Sequence, residues 1–277
     1  MARRLNILYL NHYAGTPSLG MEYRPYYLAR EWVRAGHRVT VVAANFSHVR
    51  THQPQAGEEE VDGITYRWLP TPGYQGNGLG RVRNIWHFLR QVWQRAPALV
   101  TDCQPDMVIA SSTYPMDIWV ARRIARLAGA KLVYEVHDLW PLSPIELSGM
   151  SPNHPFIVLC QAAENYAYRH SDVVISMACK ADSYMAEHGL DLRKFHHIPN
   201  GISPEDWDDH PALTATPLSA HLQSIKTEGK TVVGYAGSHG LPNALDFFLD
   251  AATLLQEMPL AFVLVGDGHE KLRLKQR

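Results

Sequence analysis

Apolar residues fall along the chain in two alternating textures. Short unbroken runs, Leu5–Leu10, Val39–Ala43, Met107–Ser111, Lys131–Val136 and Asp172–Ser176, have the make-up of buried strands. Between them lie stretches whose apolar positions recur every three or four residues. These are Tyr23–Ala35 (closed by Gly36), Arg83–Val100 (interrupted or ended near Pro97), Met116–Ala128, Pro155–Ser171 and Ala178–His188, and they predict helices. Ile64–Leu69 predicts a short strand leading into Pro70-Thr71-Pro72-Gly73, and His196–Ile198 a last one. Gln75–Gly80, with glycines at 76, 78 and 80, predicts a mobile loop. Alternation of this kind predicts a parallel sheet with crossover helices on both faces.

The texture changes at Ser203–Lys230, which is polar, holds three prolines and has few β-branched residues. It reads as a linker with some helix. The alternation then restarts: strand Thr231–Ala236, helix Ala244–Glu257, strand Ala261–Val265 and a helix from about His269. The organisation expected is a Rossmann-like α/β domain over 1–202, a linker over 203–229 and a partial second Rossmann-like domain over 230–277. Two strands and two helices cannot bury both faces of a doubly wound sheet. Either the natural chain continues beyond Arg277, or this piece packs on a partner or on the first domain. No internal repeat of solenoid length occurs.

The 277 residues are 46% hydrophobic, and 26 basic residues balance 27 acidic ones. Without a global basic field, nucleic acid is not expected as a partner. Cys103, Cys160 and Cys179 are odd in number and far apart, so they form neither a disulfide framework nor a metal spacing, and a reducing cytoplasmic compartment fits best. Arg3 and Arg4 before Leu5–Leu10 faintly mimic a leader, but the run is too short and no small-residue cleavage site follows. No apolar stretch approaches membrane-spanning length.

Candidate chemistry sits where strands end. The loop Asn11–Gly20 joins the first strand to a helix, and Gly15 and Gly20 would allow a close backbone approach to a ligand; it is not GxGxxG, and the glycines alone also suit a plain turn. At the end of Lys131–Val136 the chain reads Glu135-Val136-His137-Asp138-Leu139-Trp140-Pro141. His137 there can donate to a sugar hydroxyl or phosphate, and Asp138 can orient it or accept from a hydroxyl; the alternative is that both merely cap the next element. Pro199-Asn200-Gly201-Ile202 is a ligand loop or a sharp turn. Gly234-Tyr235-Ala236-Gly237-Ser238-His239-Gly240 precedes a helix starting near Asn243, so exposed N–H groups and a helix end would make a phosphate cradle, although no Walker lysine is present. Leu264–Gly268 is a second glycine turn on the same edge.

In this order the segments resemble the retaining, nucleotide-sugar-dependent glycosyltransferases of family four, which have the GT-B fold of two Rossmann-like domains. The resemblance rests on the first-strand loop, GHRVTVVA (Gly36–Ala43), HDLWP (His137–Pro141), PNGI (Pro199–Ile202), GYAGSHG (Gly234–Gly240) and LVGDG (Leu264–Gly268). HDLWP looks most like the branch that adds N-acetylated amino sugars in O-antigen and capsule synthesis.

The resemblance implies His137 and Asp138 as catalytic residues, Gly15, Gly20 and Glu22 as an acceptor loop, and Gly237, Ser238, His239, Asn200 and Gly201 at the donor and its phosphates. It also implies a UDP-linked sugar donor, a lipid-linked or polysaccharide acceptor, no cofactor and no metal. Two departures stand out. The family's basic pair after the glycine loop has no counterpart in Leu241–Asp246, and its paired-glutamate segment would lie beyond Arg277, so the chain alone is expected to transfer little sugar. A sugar-nucleotide epimerase of the same fold and a non-catalytic acceptor-binding module are the alternatives.

Arg81–Arg95 places Ile85, Phe88, Leu89 and Val92 at helical spacing with Trp86 and Trp93 beside them. With Arg81, Arg83 and Arg90, the tryptophans form a candidate face for an anionic membrane surface, which would place the protein peripherally on the inner face of the cytoplasmic membrane. The alternative is a helix packed on the sheet with solvated arginines.

Overall fold

A computed structural model describes residues 3–20, 22–48, 50–76, 78–206 and 216–277. The expected linker lies partly outside them. The chain divides into two compact units, Met1–Ile202 and Ser203–Arg277.

The first unit runs β1 (Asn6–Leu10), α1 (Arg24–Arg34), β2 (Arg38–Ala44), β3 (Gly57–Val61), β4 (Ile64–Leu69), α2 (Leu79–Cys103), β5 (Met107–Ala110), α3 (Asp117–Ala128), β6 (Lys131–Val136), α4 (Leu142–Ser148), α5 (Pro155–His170), β7 (Val173–Ser176), α6 (Asp182–Glu187) and β8 (Phe195–His197). Its eight strands lie in the order β3-β4-β2-β1-β5-β6-β7-β8. Every described pairing is parallel except β3 with β4. Strand alternation sends Leu8 and Leu10 into one buried layer and Ile7 and Tyr9 into the other, so the sheet is covered on both faces. The α/β, Rossmann-like class expected from the sequence is the class observed.

The order reverses at β1, whose neighbours are β2 on one side and β5 on the other. At such a switch point the loops leaving the carboxyl ends of adjacent strands diverge and leave a crevice. The loops after β1, β5 and β6 all open there.

Three expectations need correction. β3 and α4 were not foreseen. β3 is a polar edge strand, Gly-Glu-Glu-Glu-Val, without strand periodicity; it is specified by the turn Asp62-Gly63, whose φ angles of 51° and 76° are those of a tight hairpin. α2 begins at Leu79, inside the expected loop, and passes Pro97 to end at Cys103. Proline removes one helical hydrogen bond, but Ala96, Leu99 and Cys103 are buried around it, and that packing keeps the helix continuous.

The second unit holds α7 (Pro217–Thr227), β9 (Thr231–Ala236), α8 (Leu245–Leu254), β10 (Leu260–Val265) and α9 (Lys271–Gln276), with β9 and β10 parallel. Its strand residues are exposed or half-buried throughout, unlike β1.

Neighbouring residues on α2 have opposite environments: Ile85 is 6% exposed and Trp86 65%. Ile85→Ala is expected to lower unfolding free energy by about 2–4 kcal/mol, and Trp86→Ala by less than about 0.5 kcal/mol. Urea unfolding of the two variants checks this.

Candidate functional site

The crevice is organised by Glu135, the one charged residue of β6 that is buried. Its side chain is 2% exposed and meets Arg24, itself 8% exposed, at 3.0 Å. Arg24 Nε donates to Glu135 Oε1 at 3.1 Å, the Ser111 hydroxyl to Oε2 at 2.7 Å, and the Tyr9 hydroxyl to the same oxygen. His137 Nε2 lies 3.5 Å from that oxygen and 2.8 Å from Ser111 Oγ. Burial alone would raise the Glu135 carboxyl, but the His137 hydrogen bond and charge, with Arg24 and Tyr9, outweigh it and hold it well below the usual carboxylate range. Burial works against the His137 cation, yet Glu135, and Glu22 more weakly, raise its pKa above the ordinary value. Glu135 therefore favours the charged form of His137 at the carboxyl edge of the sheet.

Glu135, not Asp138, orients His137. Residues 135 and 137 project on the same side of an extended chain, whereas Asp138 turns outward and is exposed.

Arg24 also reaches the Pro199–Ile202 segment: its guanidinium donates to Ile198 O at 2.8 Å and to Pro199 O and Asn200 Oδ1 at 3.0 Å. Asn200 and Gly201 thus stand in the first unit, with Asn200 tied to the Glu135 cluster.

The β1 loop is held from within. Asn11 Nδ2 donates to Ser111 O at 2.7 Å. His12 is fully buried, with Nε2 at 2.6 Å from Asn84 Oδ1 and Nδ1 at 2.6 Å from the Tyr114 hydroxyl. Asn84 spends its amide N–H on Pro72 O, so its Oδ1 accepts from Nε2 and leaves Nδ1 to accept from Tyr114. Burial lowers the His12 pKa to about 3, so this ring is a neutral strut. Arg50 is 5% exposed and donates to Ala14 O and Ala44 O, both at 2.8 Å; burial lowers its pKa to about 10.

Gly15 is buried and donates to Glu22 O at 3.3 Å. Gly20 has φ +96°, and a Cβ there would lie 2.8 Å from Thr51 Oγ1. Glu22 has φ 65°, a left-handed conformation unusual for glutamate. Burial raises its carboxyl pKa, opposed by His137 and Arg50 and assisted by Asp138 and Glu135. Gly15 is thereby joined to Glu22, and Glu22 lies near enough to His137 for their charges to interact, while Gly20 packs against Thr51.

In the second unit the glycine loop differs from the expected cradle. The Gly237 and His239 N–H groups are already used, donating to Val265 O at 2.9 Å and Asp267 O at 2.8 Å. A Cβ on Gly266 would lie 1.8 Å from Gly237 O, and one on Gly268 2.4 Å from His239 O. These glycines let two strand-end turns lock together. α8 starts only at Leu245, after a 3-10 turn over Leu241–Asn243. His239 is 4% exposed, and neither ring nitrogen has a hydrogen-bond partner among the described residues.

On α2 Arg81 separates from the tryptophans and from the other two arginines of the expected face. Trp86, Trp93, Arg83 and Arg90 face outward, while Arg81 donates to the Tyr13 hydroxyl at 3.1 Å and lies over the Tyr13 and Trp140 rings. Arg81 belongs to the crevice side of the helix. No group of three or more metal-ligating side chains occurs among the described residues.

A sequence profile of the glycosyl transferase 4-like domain matches residues 20–201. The chain belongs to that family. No curated protein sequence matches it. Among solved structures, this glycosyl transferase 4-like chain resembles HepE of Anabaena in complex with UDP-glucose, with 19% identity over 98% of this chain and 64% of that one and a TM-score of 0.59. Sucrose-phosphate synthase of Thermosynechococcus elongatus matches at 14% identity over 99% and 67%, with a TM-score of 0.69. The UDP-forming α,α-trehalose-phosphate synthase of Burkholderia vietnamiensis matches at 12% identity over 99% and 68%, with a TM-score of 0.63. The fold is that of GT-B glycosyltransferases, and the chain spans 64% of the length of HepE.

Sequence reasoning missed Glu135, Arg24, Ser111 and Tyr9 as site residues. A glutamate inside an apolar strand was the available signal, because a buried charge demands partners.

His137 and His12 should titrate in opposite directions from 6.5. Imidazole NMR is expected to show His137 above that value, and lower in Glu135→Gln, where burial and Arg24 are opposed by Glu22 alone. His12 should stay neutral to about pH 3. From pH 6.5 down to about 3 the unfolded chain then binds a proton that folded His12 refuses, so His12 lowers stability as pH falls. His137 acts with the opposite sign: its contribution is present below 6.5 and is lost as pH rises through its raised value. A wild-type His137 titrating below 6.5 would rule out the imidazolium.

Proposed function

We propose that this chain is the acceptor side, with the beginning of the donor side, of a retaining glycosyltransferase. It moves a sugar, in our reading an N-acetylated amino sugar, from a UDP-linked donor to a lipid-linked or polysaccharide acceptor. The setting is O-antigen or lipopolysaccharide synthesis at the inner face of the cytoplasmic membrane. The observation that carries this reading is the His137 ring, held in place by Glu135 and Ser111 at a switch-point crevice. Membership of the glycosyl transferase 4-like family supports it, and the UDP-glucose held by HepE supports the donor class. No helix among the described residues is long and apolar enough to cross a membrane, which is compatible with peripheral attachment.

In this reading Nε2 of His137 stays on Ser111 and Glu135, its Nδ1–H donates to a hydroxyl of the transferring sugar or to its phosphate, and positive charge on the ring opposes the negative charge growing on the leaving diphosphate. Gly15, Gly20 and Glu22 border the acceptor, with the elevated Glu22 carboxyl available to a hydroxyl. Asn200 and Gly201 attend the donor from the first unit. The acceptor oxygen attacks from the leaving-group side, and its proton passes to the departing diphosphate. No metal is required.

Labelled UDP-sugars offered with lipid-linked acceptors test the reading. Label should move to the acceptor with the anomeric configuration kept; conversion of the donor alone would mean an epimerase, and acceptor binding without turnover a non-catalytic module. His137→Ala should lose about 1–3 kcal/mol of transition-state stabilisation, roughly five- to a hundredfold in kcat/KM, and reduce transfer more than it reduces stability. An unchanged kcat/KM would remove His137 from the mechanism.

A further inference from the structure

Helices α2, α3 and α5 bury one side on the sheet and leave between their outer sides a groove of about 540 Å³. Trp86, Leu89, Trp93, Trp119, Phe156 and Leu159 line it. Trp86 is 65% exposed and Trp93 46%, although both stand next to residues that reach the core. Exposed tryptophans grouped around a hollow are costly in water and mark a contact surface.

A second hollow adjoins the first through Trp93 and Trp119, and its chemistry is different: Arg122, Arg123 and Arg126 surround it. The Arg123 guanidinium lies 4.5 Å from the Trp93 ring centroid, and its Nε is buried without a hydrogen-bond partner. Arg122 bonds the Tyr166 hydroxyl. No carboxylate pairs with Arg83, Arg90, Arg122, Arg123 or Arg126 among the described residues, although arginines elsewhere in the fold are paired. His170 is held below its ordinary pKa by burial and then by Arg122, Arg126, Arg169 and Lys194. The arginine hollow is a positive field at one end of an apolar groove.

That juxtaposition selects the occupant. A soluble anion would use the arginines and leave the tryptophans wet. An apolar protein surface would fill the groove and leave several guanidinium groups without counter-charge. An anionic amphiphile satisfies both, since guanidinium groups bind phosphate through paired N–H donors and tryptophan suits the headgroup layer. We propose that the groove and the arginine hollow form a docking site for an anionic membrane lipid, with its acyl chain among Trp86, Trp93 and Trp119 and its phosphate against Arg122 and Arg126. The α3 arginines had no place in the candidate membrane face drawn from α2 alone. Through α2 the site connects to the crevice, where Arg81 holds the Tyr13 hydroxyl. Its use rests on the lipid-linked-acceptor reading, but docking is measured without sugar transfer, so the two can fail separately.

The test uses the 277-residue chain and vesicles of phosphatidylcholine with and without phosphatidylglycerol, some carrying brominated acyl chains. Flotation and quenching of tryptophan fluorescence are the readouts. The chain should float with the anionic vesicles, be quenched by the brominated chains, and detach as salt is raised. Arg122→Gln with Arg126→Gln should weaken partitioning about tenfold. Arg126→Gln alone, which spares the Tyr166 bond, should weaken it by a smaller factor; circular dichroism and urea midpoints monitor the fold of each variant. Trp86→Ala should remove part of the quenching. Equal binding to neutral vesicles, binding without quenching, or arginine variants that bind like the wild type would each overturn the proposal. So would inorganic phosphate saturating the arginines without vesicles, which would mean a soluble-anion site, or a dimer in sedimentation that covers the groove.

Discussion

One buried carboxylate governs the carboxyl edge of the first unit. Glu135 ends a strand of apolar neighbours where water cannot solvate it, and an uncompensated charge there would cost several kcal/mol. Its partners come from β1, the start of α1, the loop after β5 and the residue two places on in its own chain. Satisfying one charge therefore fixes four separate segments against each other, and Arg24 extends the tie to the loop that closes the unit. The same contacts set the protonation of His137, so the site's electrostatics and its architecture have a common origin.

The strand order decides that these segments meet at all. Reversal at β1 separates α1 from α2 onto opposite faces and opens the edge between their loops. Within that opening, rigidity comes from groups that cannot take part in proton transfer near neutrality: neutral His12, bonded on both ring nitrogens, and Arg50, spread over backbone carbonyls. Such a frame presents His137 and Glu22 without itself titrating. The left-handed Glu22 is the kind of backbone strain that survives only where surrounding contacts impose it.

Helix α2 serves two environments. Ile85, Phe88, Leu89 and Val92 cover the sheet, while Trp86 and Trp93 stand outside that stripe and form a groove with α3 and α5. In the second unit the glycines have a different task from the one their spacing suggests. Gly266 and Gly268 let the turns after β9 and β10 interlock, and that interlocking consumes two amides that an open phosphate loop would present.

Hydrophobic periodicity determined the strands β1, β2, β4 to β7, β9 and β10, the helices between them and the α/β class, because burial of one helix stripe or a whole strand is written locally in the order of apolar residues. His137 was legible because the texture breaks at a strand end. The polar edge strand β3 and the short helix α4 were not, since neither carries a periodic apolar signal. Only the tertiary structure decided what His137 is bonded to, that Asp138 points away, that Arg81 leaves the tryptophan face, and that the Gly237 and His239 amides are occupied. These outcomes depend on partners far apart in the chain: Tyr9 lies 126 residues from Glu135, and Arg24 lies 174 from Ile198. No local pattern encodes such distances; they are set by the order in which the strands line up and by the need to pair a charge that the sheet has buried.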